Sequence, residues 1–386
     1  MTDRSTWPRV KFGDVVKLNT DRSADPLADG LERYVGLEHI EPEDLRIRRW
    51  GLVAEGTTFT NRFRPGQVLF GKRRAYQRKV AVADFEGVCS SDIYVFEPKD
   101  DRLLPELLPF LCQTEGFFEH AVGTSAGSLS PRTNWTQLAN YEFALPPLEE
   151  QRTIVETLIA SQKTVDAFSI AYDASQTNLA SIREHLFAQH STQEHSLADL
   201  VTFIEAGKSL SGTNFPPDEH RFGVLKVSAV GRDGFLPSES KQLIEQNSFV
   251  AAYQVKKGDL LITRANTPEL VGMTCLVDQD YPYLMLSDKT LRLVLRDEYE
   301  SGLIFEALNT VSIRQQIMAL ATGTGAAMKN ISQEKLNNLI VRLPFDSQGN
   351  SEVIQQMRIA RNAVSTLNQR MNYTKVFHQT LVNTLL

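Results

Sequence analysis

The sequence predicts a mixed α+β protein built twice over: two tandem domains, each followed by a long helix, the two helices pairing as an antiparallel coiled coil. Three observations predict it. A two-fold internal repeat runs along the chain, a heptad seam recurs in both copies, and a Leu-Pro-Pro break stands at the head of the first seam. The boundaries that follow are a first domain over 1–146, a central spacer helix over 147–190, a second domain over 191–344 and a C-terminal spacer helix over 345–386. At 386 residues the chain exceeds one ordinary core, so two domains of about 150 residues are the default.

The repeat is legible in the strands. "FRPGQVLFGKRRAYQRKVAVAD" (63–84) has a counterpart in "VKKGDLLITRANTPELVGMTCLVD" (255–278): a basic turn, a glycine, an apolar strand, a polar excursion and a second strand ending in Asp. "GTSAGSLSPRTNWTQLANYEFALPP" (123–147) matches "GTGAAMKNISQEKLNNLIVRLPF" (323–345), with Leu138 on Leu336 and Pro146 on Pro344 at one constant offset. The entries agree too, "KFGDVV" (11–16) with "SLADLV" (196–201). Helical stretches are expected at 103–121 and, as their counterpart, at 298–321.

The long helices carry the sharper pattern. From Ile154, apolar or small residues recur at Leu158, Ser161, Val165, Phe168, Tyr172, Ser175, Leu179, Ile182 and Leu186, at alternating spacings of four and three. The second seam reads Val353, Met357, Ala360, Val364, Leu367, Met371, Thr374, His378, Leu381 and Leu385, each at one offset from its partner in the first. Each helix would span roughly 60 Å if straight. Neither buries its stripe alone, so they are expected to pack on each other and to hold the domains at opposite ends, with His378 a tolerated polar position facing Leu179. The launch point is "LPPLEEQRTIVETLIA" (145–160): Pro146 and Pro147 stop the preceding strand, Pro147 pre-sets the first helical dihedral, and Glu149 and Glu150 suit a helix N-terminus.

Composition is that of an ordinary globular protein, 42% hydrophobic and 23% charged. The N-terminal residues have no signal-peptide core and no window approaches the roughly 18 apolar residues of a membrane span, so a cytoplasmic protein is expected. Cys89, Cys112 and Cys275 are scattered, which fits reduced core residues. A formal charge of -6 lends a nucleic-acid role no support at whole-chain level, so any such role rests on local patches.

With "LPPLEEQRTIVETL" after the first domain and the domain-plus-helix plan repeated over essentially the whole chain, the sequence resembles the specificity subunits of type I restriction-modification systems. The second junction, "LPFDSQGNSEVIQQM", fits the plan but lacks the Leu-Glu-Glu-Gln core. The resemblance implies two target-recognition domains, each reading half of a bipartite DNA sequence, with the helices as the ruler between them. It further implies partners: double-stranded DNA, two methyltransferase subunits and, in the full complex, restriction (motor-nuclease) subunits. S-adenosylmethionine, ATP and Mg would belong to those subunits, and this chain would hold no cofactor.

The chemistry of DNA reading needs cations for phosphates and bidentate donors for base edges. Residues 62–79 hold Arg62, Arg64, Lys72, Arg73, Arg74, Arg78 and Lys79 without one acid, and Tyr76 and Gln77 add groups for stacking and hydrogen bonding. The equivalent excursion in the second copy offers Arg264 and Asn266 beside Glu269. Lys208 and Ser209, on a Gly-containing turn, are candidates for gripping phosphate, and Arg132 and Lys329 occupy nearby places in the aligned loops. Ser130, Thr133, Asn134, Asn330 and Ser332 suit helix capping as well as phosphate contact.

Catalytic constellations are missing. "NFPPDEH" (214–220) has the wrong order for an adenine methyltransferase motif, and "GTGAAMK" (323–329) lacks the Gly-Lys-Ser/Thr ending of a nucleotide loop. There is no nucleophile elbow, no H-E-x-x-H, no zinc spacing of Cys and His, and His185, His190 and His195 are spread around a helix. The expectation is a non-enzymatic reader and scaffold. The alternatives from other classes are a coiled-coil adaptor that binds no DNA and a nuclease whose carboxylates are dispersed in sequence.

Overall fold

The computed structural model describes residues 6–213, 215–218, 220–232, 234–323 and 328–386. The chain divides into two compact units, Met1–Ser169 with Arg370–Leu386, and Ile170–Gln369. The first long helix runs Leu148–Gln189 and the second Ser347–Leu385. Each unit therefore combines one β-rich domain with a segment of each long helix.

The repeated apolar strand sits where its composition requires. Val68–Gly71 is buried at every position, and so is Leu260–Thr263, as strands covered on both faces must be. In the first unit it lies inside an antiparallel sheet of order Val16–Leu18, Ile93–Pro98, Val68–Gly71, Val80–Val82. The second unit repeats that order with Val201–Ala206, Thr290–Leu295, Leu260–Thr263 and Thr274–Leu276. The basic turn before each strand is closed by a glycine at positive φ, Gly66 (86°) and Gly258 (85°), a conformation that a side chain resists. Each unit has a further four-stranded sheet containing one parallel pair, Arg33–Val35 with Gly87–Cys89 and Gly223–Leu225 with Tyr281–Met285. A two-stranded ribbon closes each domain, Arg9–Lys11 on Glu142–Ala144 and Thr192–Ser196 on Ile340–Pro344. The helices expected at 103–121 and 298–321 are present as Leu108–Leu111 with Glu115–Gly123, and Ser301–Leu308 with Val311–Leu320.

The junction after the first domain owes more to Gln151 than to its acids. Gln151 is fully buried; its Nε2 donates to the carbonyls of Pro146 (2.8 Å) and Arg102 (2.7 Å), and its Oε1 accepts from the Leu104 amide (2.8 Å). One carboxamide thus ties the helix start to the Pro-Pro break and to the loop ahead of the earlier helix Leu108–Leu111. The second junction uses Asp346 instead, whose Oδ1 accepts from the Gly349 amide at 2.6 Å as an N-cap does.

The heptad seams face inward. Ile154 and Leu158 belong to the core of the first unit, with Leu381 and Leu385 of the other helix packed against it; Val382, one place off the seam, enters it fully. Leu179, Leu186, Val353 and Met357 belong to that of the second. The helices pair antiparallel within each unit: the His378 ring meets Ser161 Oγ (3.1 Å) and the Phe110 ring, not Leu179. In an antiparallel pair, residues at one shared offset occupy equivalent places in the two units instead of facing each other, so Leu179 is the counterpart of His378. Ile182 also departs from the seam: it is exposed, and its neighbour Arg183 turns inward.

Arg183 does so to reach a buried carboxylate. Glu306, 3% exposed, accepts from Arg183 Nε at 2.9 Å and from Arg361 Nε at 2.5 Å, and the Arg361 guanidinium lies 3.8 Å from the Phe305 ring centre. This triad joins three helices of the second unit. The corresponding places in the first unit hold Phe110, Val382 and Gln162. The equivalence is fixed by matching bonds: Thr114 and Thr310 each close the preceding turn, on Leu111 and Ala307, and the amides of Glu115 and Val311 donate to Asn383 and Glu184.

Cys89, Cys112 and Cys275 are buried free thiols, and burial pushes Cys89 and Cys275 up to about 12, as inert core residues should be. Among the described residues no helix is long and apolar enough to cross a membrane.

Two outcomes follow from these cores. Glu306→Ala leaves two guanidiniums without their carboxylate and is expected to cost about 3–5 kcal/mol in urea unfolding of the full chain; a loss under about 1 kcal/mol, the range of an exposed pair, would contradict a structural role. Burial holds the His378 imidazole below its ordinary pKa, with Asp166 pulling the other way. The unfolded imidazole takes up its proton below about pH 6.5 while the folded one resists, so stability present above that pH is lost as the pH falls toward the folded pKa. His378→Leu, which installs the residue found at the equivalent Leu179, should flatten that decline in thermal midpoints measured against pH.

Candidate nucleic-acid interface

The polar excursion after the central strand is not an isolated loop in either unit. In the first, it is stitched to the loop before the short helix Trp135–Leu138: Arg73 bridges Arg132, the Arg74 amide donates to Pro131 O (2.7 Å) and the Thr133 amide to Lys72 O (3.0 Å). In the second, Ala265–Asn266 pairs with Lys329–Asn330 and the Ile331 amide donates to Arg264 O at 2.9 Å. Lys72 also donates from its backbone to Asp92 O (3.0 Å), and Arg264 does the same to Lys289 O (2.8 Å). The same loop pair is therefore built twice, bond for bond, while the side chains it carries differ.

In the first unit the exposed groups are cationic and partly oriented. Arg73 donates through Nε to Ser130 Oγ (2.5 Å) and through a terminal nitrogen to Asp92 (3.2 Å), whose other oxygen accepts from Arg132 Nε (2.8 Å). Burial works to raise the Asp92 carboxyl, but the guanidiniums of Arg132 and Arg73 more than reverse it and hold it below its ordinary value. Lys72 lies 4.6 Å from the Tyr94 ring centre, and its pKa is lowered, chiefly by burial. Arg74 and Arg78 flank the turn Ala75–Gln77 and both adopt positive φ (54° and 55°), a backbone state rare for arginine. The turn lifts Tyr76 to 55% exposure, with the half-buried Gln77 beside it.

The other basic residues of 62–79 are spoken for within the domain. Arg62 pairs with Glu86, Arg64 with Asp21, and Arg78 with Glu115 while stacking on Phe118. Lys79 donates to Leu37 O at 2.6 Å. The structure thus gathers Lys72, Arg73, Arg74, Tyr76 and Arg132 on one loop pair.

In the second unit the loop pair carries Arg264, Asn266 and Lys329, with Lys329 Nζ donating to Gly323 O at 3.2 Å. Lys208 and Ser209 are exposed and follow Gly207, whose amide donates to Ser287 O (3.1 Å). A Cβ on Gly207 would lie 2.0 Å from Leu286 O, so only glycine allows this approach. The turn carrying Lys208 is therefore tied to the strand end that carries Lys289, an exposed cation missed in the sequence together with Asp92. Aligning "SSDIYV" (90–95) with "SDKTLR" (287–292), the register of the strands that follow, would have found both. Asn134 and Ser332 are helix caps, accepting from the amides of Gln137 (2.9 Å) and Lys335 (3.2 Å), whereas Ser130 orients Arg73. Of the rejected motifs, residues 324–327 of "GTGAAMK" and positions 214 and 219 of "NFPPDEH" lie outside the described residues. Among the described residues no cluster of His, Cys, Asp and Glu is arranged to hold a metal ion.

Comparison with known proteins agrees with this architecture. The sequence profile described as the type I restriction modification DNA specificity domain matches residues 4–167. The chain is 32% identical over 150 residues to the specificity subunit of the type I restriction enzyme EcoEI of Escherichia coli, and 27% identical over 226 residues to that of EcoDI. These matches take in 38% and 54% of this chain, but only 25% and 50% of the relatives' own lengths. In fold the likeness covers the chain: 98% of it, and 97% of the other, aligns with a chain from a structure of a type I R-M system at a TM-score of 0.53 and 20% identity. The S subunit of the M. genitalium type I system aligns over 99% of this chain and 96% of its own at 0.51 and 13% identity. Residues 4–167 thus match the type I restriction modification DNA specificity domain, the sequence is similar to specificity subunits of type I restriction enzymes, and the whole chain shares its fold, β-rich domain and long helix twice over, with chains of type I systems.

Proposed function

We propose that this chain is the DNA-reading subunit of a type I restriction-modification complex, in which each β-rich domain reads one half of a bipartite duplex target. The observation that carries the reading is the loop pair built twice on identical backbone bonds with different exposed side chains. A conserved frame with exchanged donors is what two readers of different base sequences require. The first domain offers guanidiniums, which suit guanine edges and phosphates; the second offers Asn266 beside Arg264, and an asparagine suits adenine. Lys208, Ser209 and Lys329 would add phosphate contacts in the second domain. Arg62, Arg64, Arg78 and Lys79, each already paired or bonded, would contribute through the field of the patch, with Gln77 beside Tyr76 as a polar contact.

The chemistry of modification and cleavage would lie in partners: two methyltransferase subunits using S-adenosylmethionine, and restriction subunits using ATP and Mg. Support for protein partners comes from one face of the second long helix, where Tyr373, Val376 and Phe377 stand at helical spacing and are 74%, 66% and 60% exposed. The reading places the protein in the cytoplasm with its DNA, and makes the length of the long helices the variable that sets half-site separation.

Replacing Arg73 and Arg74 with Ala in the full chain should weaken duplex binding in fluorescence titration and lower the slope of log affinity against log salt by up to about two. An unchanged slope would remove these residues from the interface, and no salt-dependent binding by the unaltered chain would remove the DNA-reading role. Inserting four residues, about 6 Å of helix, after Ala174 should alter the spacing of the selected half-sites and leave their bases alone. Altered bases at unaltered spacing would refute the ruler.

A further inference from the structure

The charge at one position of the twice-built loop pair is reversed between the domains: Asp92 in the first, Lys289 in the second. Their equivalence rests on backbone geometry, since each carbonyl accepts from the residue that opens the excursion, Lys72 or Arg264. That residue's own carbonyl in turn accepts from Thr133 or Ile331. The reversal does not stand alone. In the first domain the equivalent positions are Lys72, Arg73, Arg74, Asp92, Pro131 and Arg132, four cations less one carboxylate, leaving three positive charges. In the second they are Arg264, Ala265, Asn266, Lys289, Lys329 and Asn330, three cations and no carboxylate, again three. Every one of these side chains has changed, yet both sets stay cationic, even with Asp288, which stands where the first domain has Ser91, taking one charge from the second.

A cationic frame with exchanged donors is what a polyanion of uniform backbone and variable bases would demand. In the first domain the Asp92 carboxylate takes one donor from each of two guanidiniums and Ser130 takes a second from Arg73, which leaves terminal N–H groups to contact a ligand on side chains about half exposed (39% for Arg73 and 51% for Arg132). Held this way, the guanidiniums present fixed forks, the geometry that bidentate recognition of a base edge needs. The second domain has no guanidinium at either place, and Ala265 and Asn330 need no orienting carboxylate. Lys289 there is exposed and has no ion pair among the described residues.

Resting on the DNA-reading role, we infer that Lys289 contacts the DNA backbone in the second domain, and that Asp92 is a positioning residue that fixes Arg73 and Arg132 for base recognition in the first.

The test uses the full chain with a pool of random-sequence duplexes, selected, sequenced and titrated between about 50 and 200 mM salt. Lys289→Ala should lower the salt slope by about one and leave the base preference of the first domain's half-site intact. Asp92→Asn should do the opposite: raise affinity for the unselected pool, since one negative charge is gone, while flattening base preference in that same half-site. Misfolding would not raise affinity, so this pairing of effects separates positioning from structural damage; thermal midpoints of both variants complete the control. An unchanged slope for Lys289→Ala, or an unchanged half-site preference for Asp92→Asn, overturns the corresponding assignment. If the unaltered chain selects no two-part sequence, the DNA-reading role itself fails and takes the inference with it. A two-part sequence that both variants read like the parent sinks the inference alone.

Discussion

An amphipathic helix of about forty residues cannot bury its apolar stripe by itself, and this chain has two of them, of 42 and 39 residues. Everything else in the architecture accommodates that constraint. The stripes meet in antiparallel register, and the surfaces they leave are taken into the cores of the two β-rich domains. Neither domain's core is complete without segments of both helices. The chain thus closes each unit with residues far apart in sequence, Ile154 with Val382 in one case and Leu179 with Val353 in the other, and a domain cut from its spacer helices would expose apolar surface.

Within this shared plan the two units are cemented differently. The second spends a carboxylate and two guanidiniums where the first places Phe110, Val382 and Gln162. Desolvating three charges is expensive, and an apolar substitute is often as stable. What a buried triad would add is selectivity, because an apolar side chain in place of Arg183 would leave the Glu306 carboxylate one donor short. Each helix end is thereby matched to one domain and mismatched to the other.

Much of this was legible in the sequence because the periodicities involved are local and repeated. The seam from Val353 to Leu385, the strand "QVLFG" with its glycine turn, and the paired helices near 108–123 and 301–320 each follow from composition read at one spacing. The exceptions have a common cause. Ile182 broke the heptad because Arg183 had a partner 123 residues away, His378 was assigned the wrong neighbour because an offset shared between repeats is not a contact, and the weight carried by Gln151 depends on three backbone groups that only folding brings together. At the candidate interface a run of basic residues was visible, but which of them pair within the domain was not: Arg62, Arg64 and Arg78 meet acids from distant segments. Asp92 and Lys289 escaped notice because one is acidic and the other stands alone in sequence.

The Gln151 lock bears on how such a protein can change. By tying its first helical turn to the Pro146 and Arg102 carbonyls, the carboxamide fixes the angle at which the helix leaves the domain as well as its starting point. Each residue added downstream then advances the helix by 1.5 Å and turns it by about 100°. A single-residue lengthening would swing the apolar stripe away from its partner, whereas seven residues return it nearly to its original azimuth. Viable lengths of such a spacer therefore form a discrete series set by helical phase, and divergence within it proceeds by steps instead of drift.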